Sequence, residues 1–272
     1  MSKGLKLLRL EYLFSVLVPC LIAIYLNDYD ISNNLYLLAG FGFYAITGNT
    51  LNDMIDMKDP DEKETLERVK GYGRKEIGTL AIASFFLGTS CFMYEILEKP
   101  VLGIYLIIIV VLVIVYCLFK KLVVLNHIIL GVSHIFLPYF MIKINAGDAV
   151  LNGILPEITV FEWLMLACVA SVAYTGQMLH EMIDGDSLAR LPPKTAQIVI
   201  WISAILSLII GILSLIITLE MWFISFIIFP IGIMYIFRMP REDIQGWTSL
   251  KDIGIMLGNF LFVYILIIIL GN

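Results

Sequence analysis

Apolar runs about as long as a bilayer is thick alternate along the chain with short polar hinges. A hydrocarbon core is crossed by a helix of about 20 apolar residues. Nine segments fit that length: 10–26, 35–52, 77–97, 101–119, 122–142, 160–180, 196–218, 220–238 and 252–270. Pro100 and the 217–221 stretch divide segments that would otherwise read as single long helices. The pattern predicts an all-α integral membrane protein, a nine-transmembrane-helix bundle forming one domain over 1–272.

Composition removes the alternatives. Hydrophobic residues make up 60% of the chain and charged residues 15%, with a mean hydropathy of +0.93. Soluble globular chains carry about 45–50% apolar and about 25% charged residues. A soluble enzyme, a disordered chain and a secreted disulfide scaffold are therefore excluded. Cys20, Cys91, Cys117 and Cys168 all sit inside apolar runs without CxxC spacing, as small core residues do. The first apolar run contains Glu11 and ends in no A-x-A-like site, so no cleavable signal peptide is expected. No basic stripe points to nucleic acid.

The basic residues orient the bundle. With the N-terminus in the cytoplasm, sixteen of the eighteen Lys and Arg fall on the cytoplasmic side, and only Lys99 and Lys143 fall elsewhere. The polar chemistry follows the same side as a cytoplasmic cap, which fits a substrate with a charged head and a long apolar tail.

Two polar clusters stand out in that cap. Asn49, Asn52, Asp53 and Asp56 are spaced i, i+3, i+4, i+7, which places them on one helical face. Gln177, His180, Glu181 and Asp184 repeat the spacing 128 residues later. The match reads as an internal repeat of two half-bundles presenting facing acid stripes, with acid motifs over 49–61 and 177–186. One Asp at a helix end is an ordinary solvated terminus. Two acids at a helix C-terminus oppose the dipole, however, so helix stability does not explain them. Hard cations take oxygen ligands, and Mg²⁺ commonly uses one or two carboxylates together with substrate phosphate. Metal–phosphate binding is thus the expected chemistry, with Lys120, Arg68 and Lys70 as counter-charges. Tyr116 lies four residues before Lys120, so Tyr116-x-x-x-Lys120 presents a phenol and an ammonium from one face.

Together Asn52-Asp53-x-x-Asp56, Tyr116-x-x-x-Lys120 and Glu181-x-x-Asp184-Gly185-Asp186 resemble the UbiA superfamily of membrane prenyltransferases. That family carries NDxxDxxxD after helix 2, YxxxK after helix 4 and DxxD or DxxxD after helix 6 of a nine-helix bundle. The resemblance covers nearly the whole chain, and Arg9-Leu10-Glu11-Tyr12-Leu13-Phe14 is similar to the start of helix 1 in several members. It implies Mg²⁺-dependent transfer of a prenyl chain from a polyprenyl diphosphate to a hydrophobic or aromatic acceptor within the membrane. The acceptor classes are an aromatic acid, a quinone precursor, haem or a glycerol lipid. By the resemblance, Asp56, Asp184, Lys120 and Tyr116 are catalytic positions. Lys120, Arg68, Lys70 and Asn49 bind the diphosphate, and Asn52, Asp53, Asp56, Asp59, Glu181, Asp184 and Asp186 are metal positions.

The chain departs from the family pattern at several places. Pro60 stands where the last Asp of the first motif falls, flanked by Asp59 and Asp61. Glu67-Arg68-Val69-Lys70 lacks the proline common downstream, Glu181 replaces an Asp, and His180 replaces a basic residue.

Several residues carry blander readings. Arg9 and Glu11 are expected to anchor at the interface rather than to meet an acceptor. His127 and His134, seven apart on one face of helix 5, are expected to line core or cavity rather than to bind haem. Among the aromatics, Tyr116 and Tyr174 are the candidates for stabilising a carbocation by cation–π attraction.

Two rival functions draw on the same residues. Asp184-Gly185-x-x-x-Ala189-Arg190 is one residue too long for the CDP-alcohol phosphotransferase signature and lacks its remaining acids. A transporter places its site near the midplane in broken helices, whereas both acid stripes lie at helix ends. A non-catalytic lipid-diphosphate binding protein on the same bundle would carry the same pattern.

Overall fold

The computed structural model describes residues 6–60, 63–119, 123–151, 153–184, 187–240 and 248–271. Among these, ten α-helices carry most of the described chain: α1 Phe14–Leu26, α2 Leu35–Asp56, α3 Lys63–Arg68, α4 Arg74–Glu98 and α5 Val101–Phe119. α6 runs from Val123–Gly131 through a π turn at Val132–Phe136 into Leu137–Ala146, and is followed by a two-stranded hairpin, β1 Val150–Leu151 and β2 Leu155–Pro156. α7 Val160–Asp184, α8 Pro193–Thr218, α9 Phe223–Ile236 and α10 Thr248–Gly271 complete the chain.

Six helical stretches among the described residues are long and apolar enough to cross a membrane: Arg74–Glu98, Val101–Leu118, Asn126–Ala146, Val160–Ile183, Pro193–Thr218 and Leu250–Gly271. The other long helices miss that measure for physical reasons. Leu10–Leu26 and Phe223–Ile236 are apolar but short. α2 is long, but its last two turns carry Asn49, Asn52, Asp53 and Asp56. The fold is thus an all-α membrane fold. Large apolar side chains such as Ile107, Phe86, Ile216 and Ile267 point outward, as lipid-facing surfaces require.

The chain divides into two compact units. The first comprises 1–119, 132–157 and 255–272. Its spine is the pairing of α2 with α4, which approach closely because glycines face bulky rings. A Cβ on Gly40 would stand 2.7 Å from the Phe92 ring, and one on Gly88 would overlap Tyr44. Tyr44 is locked in place by stacking on Phe85, with ring centres 5.5 Å apart, and by a 2.9 Å hydrogen bond between its hydroxyl and Thr89 Oγ1. Phe41 and Phe92 meet edge to face within this pairing.

At the Leu35 end of α2, the same unit holds a buried polar network. Lys143 Nζ lies 2.8 Å from Asp148 Oδ2 and donates to Asn27 Oδ1 at 3.1 Å. Asn145 Nδ2 donates to Asn34 Oδ1 at 3.0 Å and to the Asn33 carbonyl at 3.1 Å, and Lys99 donates to the Asn145 carbonyl. Lys99 and Lys143 are the two basic residues that stood outside the charge pattern. Both ammonium groups are met by oxygen here, which for the buried Lys143 removes the penalty of leaving a charge unpaired in a dry setting.

The second unit comprises 120–131 and 158–254. α7 begins at a reciprocal cap: Thr159 N–H donates to Glu162 Oε2 at 2.8 Å, and Glu162 N–H donates to Thr159 Oγ1 at 3.2 Å. α7 and α8 then meet along a seam of small polar residues. Cys168 faces Ser214 at 3.4 Å, Ser171 faces Ser207 at 3.1 Å, and Thr175 faces Ser203 at 2.7 Å. Small residues let helices approach within a membrane where apolar burial supplies no net drive. Towards the Asp184 end, Met178, Leu179, Met182 and Ile183 pack with Leu188, Ala196, Ile200, Ile233 and Phe237.

Candidate functional site

The end of α2 shows how one stripe of four polar residues divides into different tasks. Asp53 is buried, and both of its oxygens are held by one guanidinium. Arg68 Nη2–H donates to Oδ1 at 2.8 Å and Nε–H donates to Oδ2 at 3.0 Å. Arg9 Nη1 approaches the same Oδ1 at 3.7 Å, and the Arg9 guanidinium lies 4.4 Å from the centre of the Tyr12 ring. Arg68 is further tied to Glu64 and Thr65, at 3.3 and 3.1 Å. Burial, the largest single influence, lowers its pKa, but the hydrogen-bonded Asp53 carboxylate together with Glu64 and Tyr12 more than offsets this and the guanidinium is pushed up.

Local folding explains why Arg68 arrives there. α3 is a single short helix that ends at Arg68. The turn after it, Val69–Gly73, is held down by a small apolar cluster of Leu7, Val69 and Ile77, against which Met54, Met57 and Tyr72 pack. Gly71 takes a φ of 96° in this turn, a conformation that suits glycine. Glu76 Oε2 then accepts the Gly73 N–H at 2.7 Å and starts α4.

With Asp53 neutralised, Asn52 and Asp56 form the second task. Asn52 Nδ2–H donates to Asp56 Oδ2 at 2.7 Å, one helical turn on. The Asn52 carbonyl oxygen is buried and has no hydrogen-bond partner among the described residues. Asp56 is 2% exposed. An unpaired amide oxygen beside a carboxylate is a set of hard oxygen donors, the chemistry that suits Mg²⁺. Asn49 is half-buried one turn earlier on α2, Asp59 is half-buried just past its end, and Lys70 is exposed. Tyr116 is half-buried on the last turn of α5.

In the second unit the corresponding acids lie at the end of α7. Glu181 is buried, with Oε1 3.4 Å from His127 Nε2. Tyr174 meets the His127 ring edge-on, with centres 4.9 Å apart. His180 and Gln177 are half-buried, and Asp184 is the last residue of α7. Lys120 and Asp186 lie outside the described residues. Among the described residues, no three His, Cys, Asp or Glu side chains converge as ligands of one metal ion.

The spacing pattern did not reveal these partners. It set Asp53 equal to Asp56, because a helical wheel does not distinguish an acid that a distant arginine neutralises. His127, expected to line core or cavity, is buried, but nothing in the pattern pairs it with Glu181. Only its position on α6, one residue after the equally buried Asn126, hinted at polar surroundings. Arg9, expected at the interface, meets Asp53. His134, within the π turn, pairs its Nδ1 with Ser133 Oγ at 2.8 Å.

Known proteins resemble this chain in sequence and in fold. The UbiA prenyltransferase family profile matches residues 16–191. A UbiA homologue from Archaeoglobus fulgidus, bound to GPP and Mg²⁺, superposes with a TM-score of 0.70 at 14% identity, covering 98% of this chain and 99% of that one. The same homologue bound to DMAPP and Mg²⁺ matches equally, with a TM-score of 0.70. A digeranylgeranylglyceryl phosphate synthase structure matches with a TM-score of 0.58 at 16% identity, covering 99% of this chain and 97% of that one. No curated protein matches the sequence. With well over half of its length matched by the family profile, the chain belongs to the UbiA prenyltransferase family.

Proposed function

We propose that the protein transfers a prenyl chain from a polyprenyl diphosphate to an acceptor within the membrane, with Mg²⁺ on the diphosphate. The observation that carries this reading is the Asn52–Asp56 pair. In a chain of this family, it offers a buried carboxylate and an unpaired amide oxygen on the motif where the family places its metal. The fold likeness to a homologue that holds GPP and Mg²⁺ supports it.

The residues that would hold the metal are Asn52 and Asp56 on α2, with Asp59 three residues on in sequence, and Glu181 and Asp184 of the second stripe, with Asp186 two residues beyond it in sequence. When bound, Mg²⁺ neutralises charge that builds on the departing diphosphate. Asp53 belongs to this set in sequence, but its pairing with Arg68 fits another role. It fixes the α3 segment and places a neutral pair, not a second bare acid, beside Asp56. Arg68 then acts on the diphosphate through Asp53 and the loop it holds, while Lys120, Lys70 and Asn49 are the groups proposed to meet phosphate oxygens directly. Tyr116 and Tyr174 are the rings proposed to stabilise an allylic cation by cation–π attraction, worth about 0.5–2 kcal/mol each. The apolar helices exclude water, which would otherwise capture that cation. The helices form nine spans in two repeats. The N-terminus and both acid-bearing ends lie on the cytoplasmic side.

Titration calorimetry of the purified protein with geranylgeranyl diphosphate, with and without Mg²⁺, tests the reading. Binding that requires Mg²⁺ supports it. Absence of binding to farnesyl, geranylgeranyl and longer diphosphates overturns it, and binding without transfer to any acceptor leaves a lipid-diphosphate binding protein.

A further inference from the structure

Asn126 lies near the start of α6 and is 1% exposed. Neither its Oδ1 nor its Nδ2 has a hydrogen-bond partner among the described residues. A carboxamide offers two N–H donors and a carbonyl acceptor, and leaving all of them buried and unpaired carries the full desolvation penalty. Buried polar groups in folded proteins are as a rule paired, so an orphan of this kind marks a place that something else completes. The next residue, His127, is the one whose ring reaches Glu181 at 3.4 Å and Tyr174 at 4.9 Å between centres. The orphaned amide is therefore one residue from the contact that joins α6 to the acid-bearing end of α7.

We propose that Asn126 binds the polar head of the prenyl acceptor and that this head is a hydroxyl, an inference that rests on the transferase reading above. The chemistry of the amide selects the class. An ionised carboxylate or phosphate is all acceptor: it would satisfy the N–H groups, leave the carbonyl orphaned and bring a second negative charge towards Glu181. A hydroxyl both donates and accepts, so one hydroxyl, or two adjacent ones, satisfies both edges of the amide. An O-methyl ether has lost the proton and satisfies only one. Asn126 is thus a specificity-determining residue for phenols or alcohols, and the prenyl diphosphate does not need it.

The test uses the full chain in lipid nanodiscs, with hydroquinone and monoolein as hydroxyl probes, each set against its O-methyl ether. At least one hydroxyl probe is expected to raise the melting temperature of the wild-type protein while its ether does not. N126L should abolish that shift and raise the KM of the hydroxyl probe at least tenfold. The KM for geranylgeranyl diphosphate should stay within twofold, and N126S should restore part of the acceptor affinity. Without ligand, N126L should melt above the wild type, because the orphaned amide is gone. The proposal is overturned by equal shifts from hydroxyl and ether, by no hydroxyl-selective shift with either probe, by an unchanged shift in N126L, or by a lower ligand-free melting temperature of N126L. Hydroxyl-selective, Asn126-dependent stabilisation without any prenyl transfer would retain this site and end the transferase reading. Transfer indifferent to Asn126 would do the reverse.

Discussion

Asp53 and Arg68, fifteen residues apart, meet through two parallel N–H···O bonds of 2.8 and 3.0 Å, and Arg9 closes on the same carboxylate from the N-terminal segment. Three stretches of chain are held by one buried acid. Removing one partner of a buried ion pair leaves the other charge uncompensated, which costs about 3 kcal/mol or more. R68A and D53N should each lower the melting temperature clearly. A D53L/R68M double variant should recover much of the loss, since replacing both charges with apolar groups is often neutral. Thermal melts of the four proteins in one detergent check this; a double variant no better than either single one contradicts it.

Asp56 has a different expected signature. D56N keeps the shape of the side chain and removes the charge, so the fold should persist while Mg²⁺-dependent binding of geranylgeranyl diphosphate falls by at least tenfold. N52L should produce the same loss by removing the amide oxygen. D53N, by contrast, should weaken binding only in proportion to its loss of stability. Calorimetry on the three variants, at a temperature where all are folded, separates the two acids.

Gly88 is a packing position with no slack. An added Cβ would overlap the Tyr44 ring and stand 3.1 Å from the Gly40 carbonyl oxygen. Tyr44 is stacked on Phe85 and hydrogen-bonded to Thr89, so it yields only by breaking both contacts. Overpacking of this kind costs about 1–3 kcal/mol. G88A should lower the melting temperature, and G88A/Y44A should melt higher than G88A alone. Gly42 meets nothing within 4 Å, so G42A is the control that should leave stability unchanged.

The α7–α8 seam should behave in the opposite way to the Asp53–Arg68 pair. Interhelical hydrogen bonds in membranes average about 0.6 kcal/mol. T175V, which is isosteric and removes the bond to Ser203, should shift the melting temperature little. S203L, which inserts bulk where Thr175 and Ser203 stand 2.7 Å apart, should be far more damaging. Equal effects from the two variants would show that the hydrogen bond, rather than the close approach, holds the helices.

How much of this was legible in the sequence depends on how far each feature reaches along the chain. Hydropathy located the helices, because lipid exposure acts on every residue of a span alike. It located α2 as well, in the segment 35–52, although the polar residues of its last two turns dilute its apolar character. The i, i+3, i+4, i+7 stripe placed Asn52, Asp53 and Asp56 correctly on α2. It could not divide them, because Arg68 reaches Asp53 only through a turn set by Leu7, Val69 and Ile77. The contact between His127 and Glu181 joins two helices fifty-four residues apart and leaves no local periodicity. Asn126 was hidden for the same reason: one amide in an apolar run reads as core until its lack of partners is seen.

The seam between α7 and α8 has a consequence for assembly. Thr175 Oγ1 also donates to the Ser171 carbonyl at 2.9 Å, and Ser171 Oγ to the Cys168 carbonyl at 3.0 Å, each within its own helix. Such back-bonding satisfies a hydroxyl before any neighbour arrives. α7 can therefore enter the bilayer alone with these two hydroxyls already satisfied. The hydroxyl pairs across the seam form afterwards, and they select the one longitudinal register in which small residue meets small residue. They set the alignment of two helices that are already stable in lipid, and insertion does not wait for pairing.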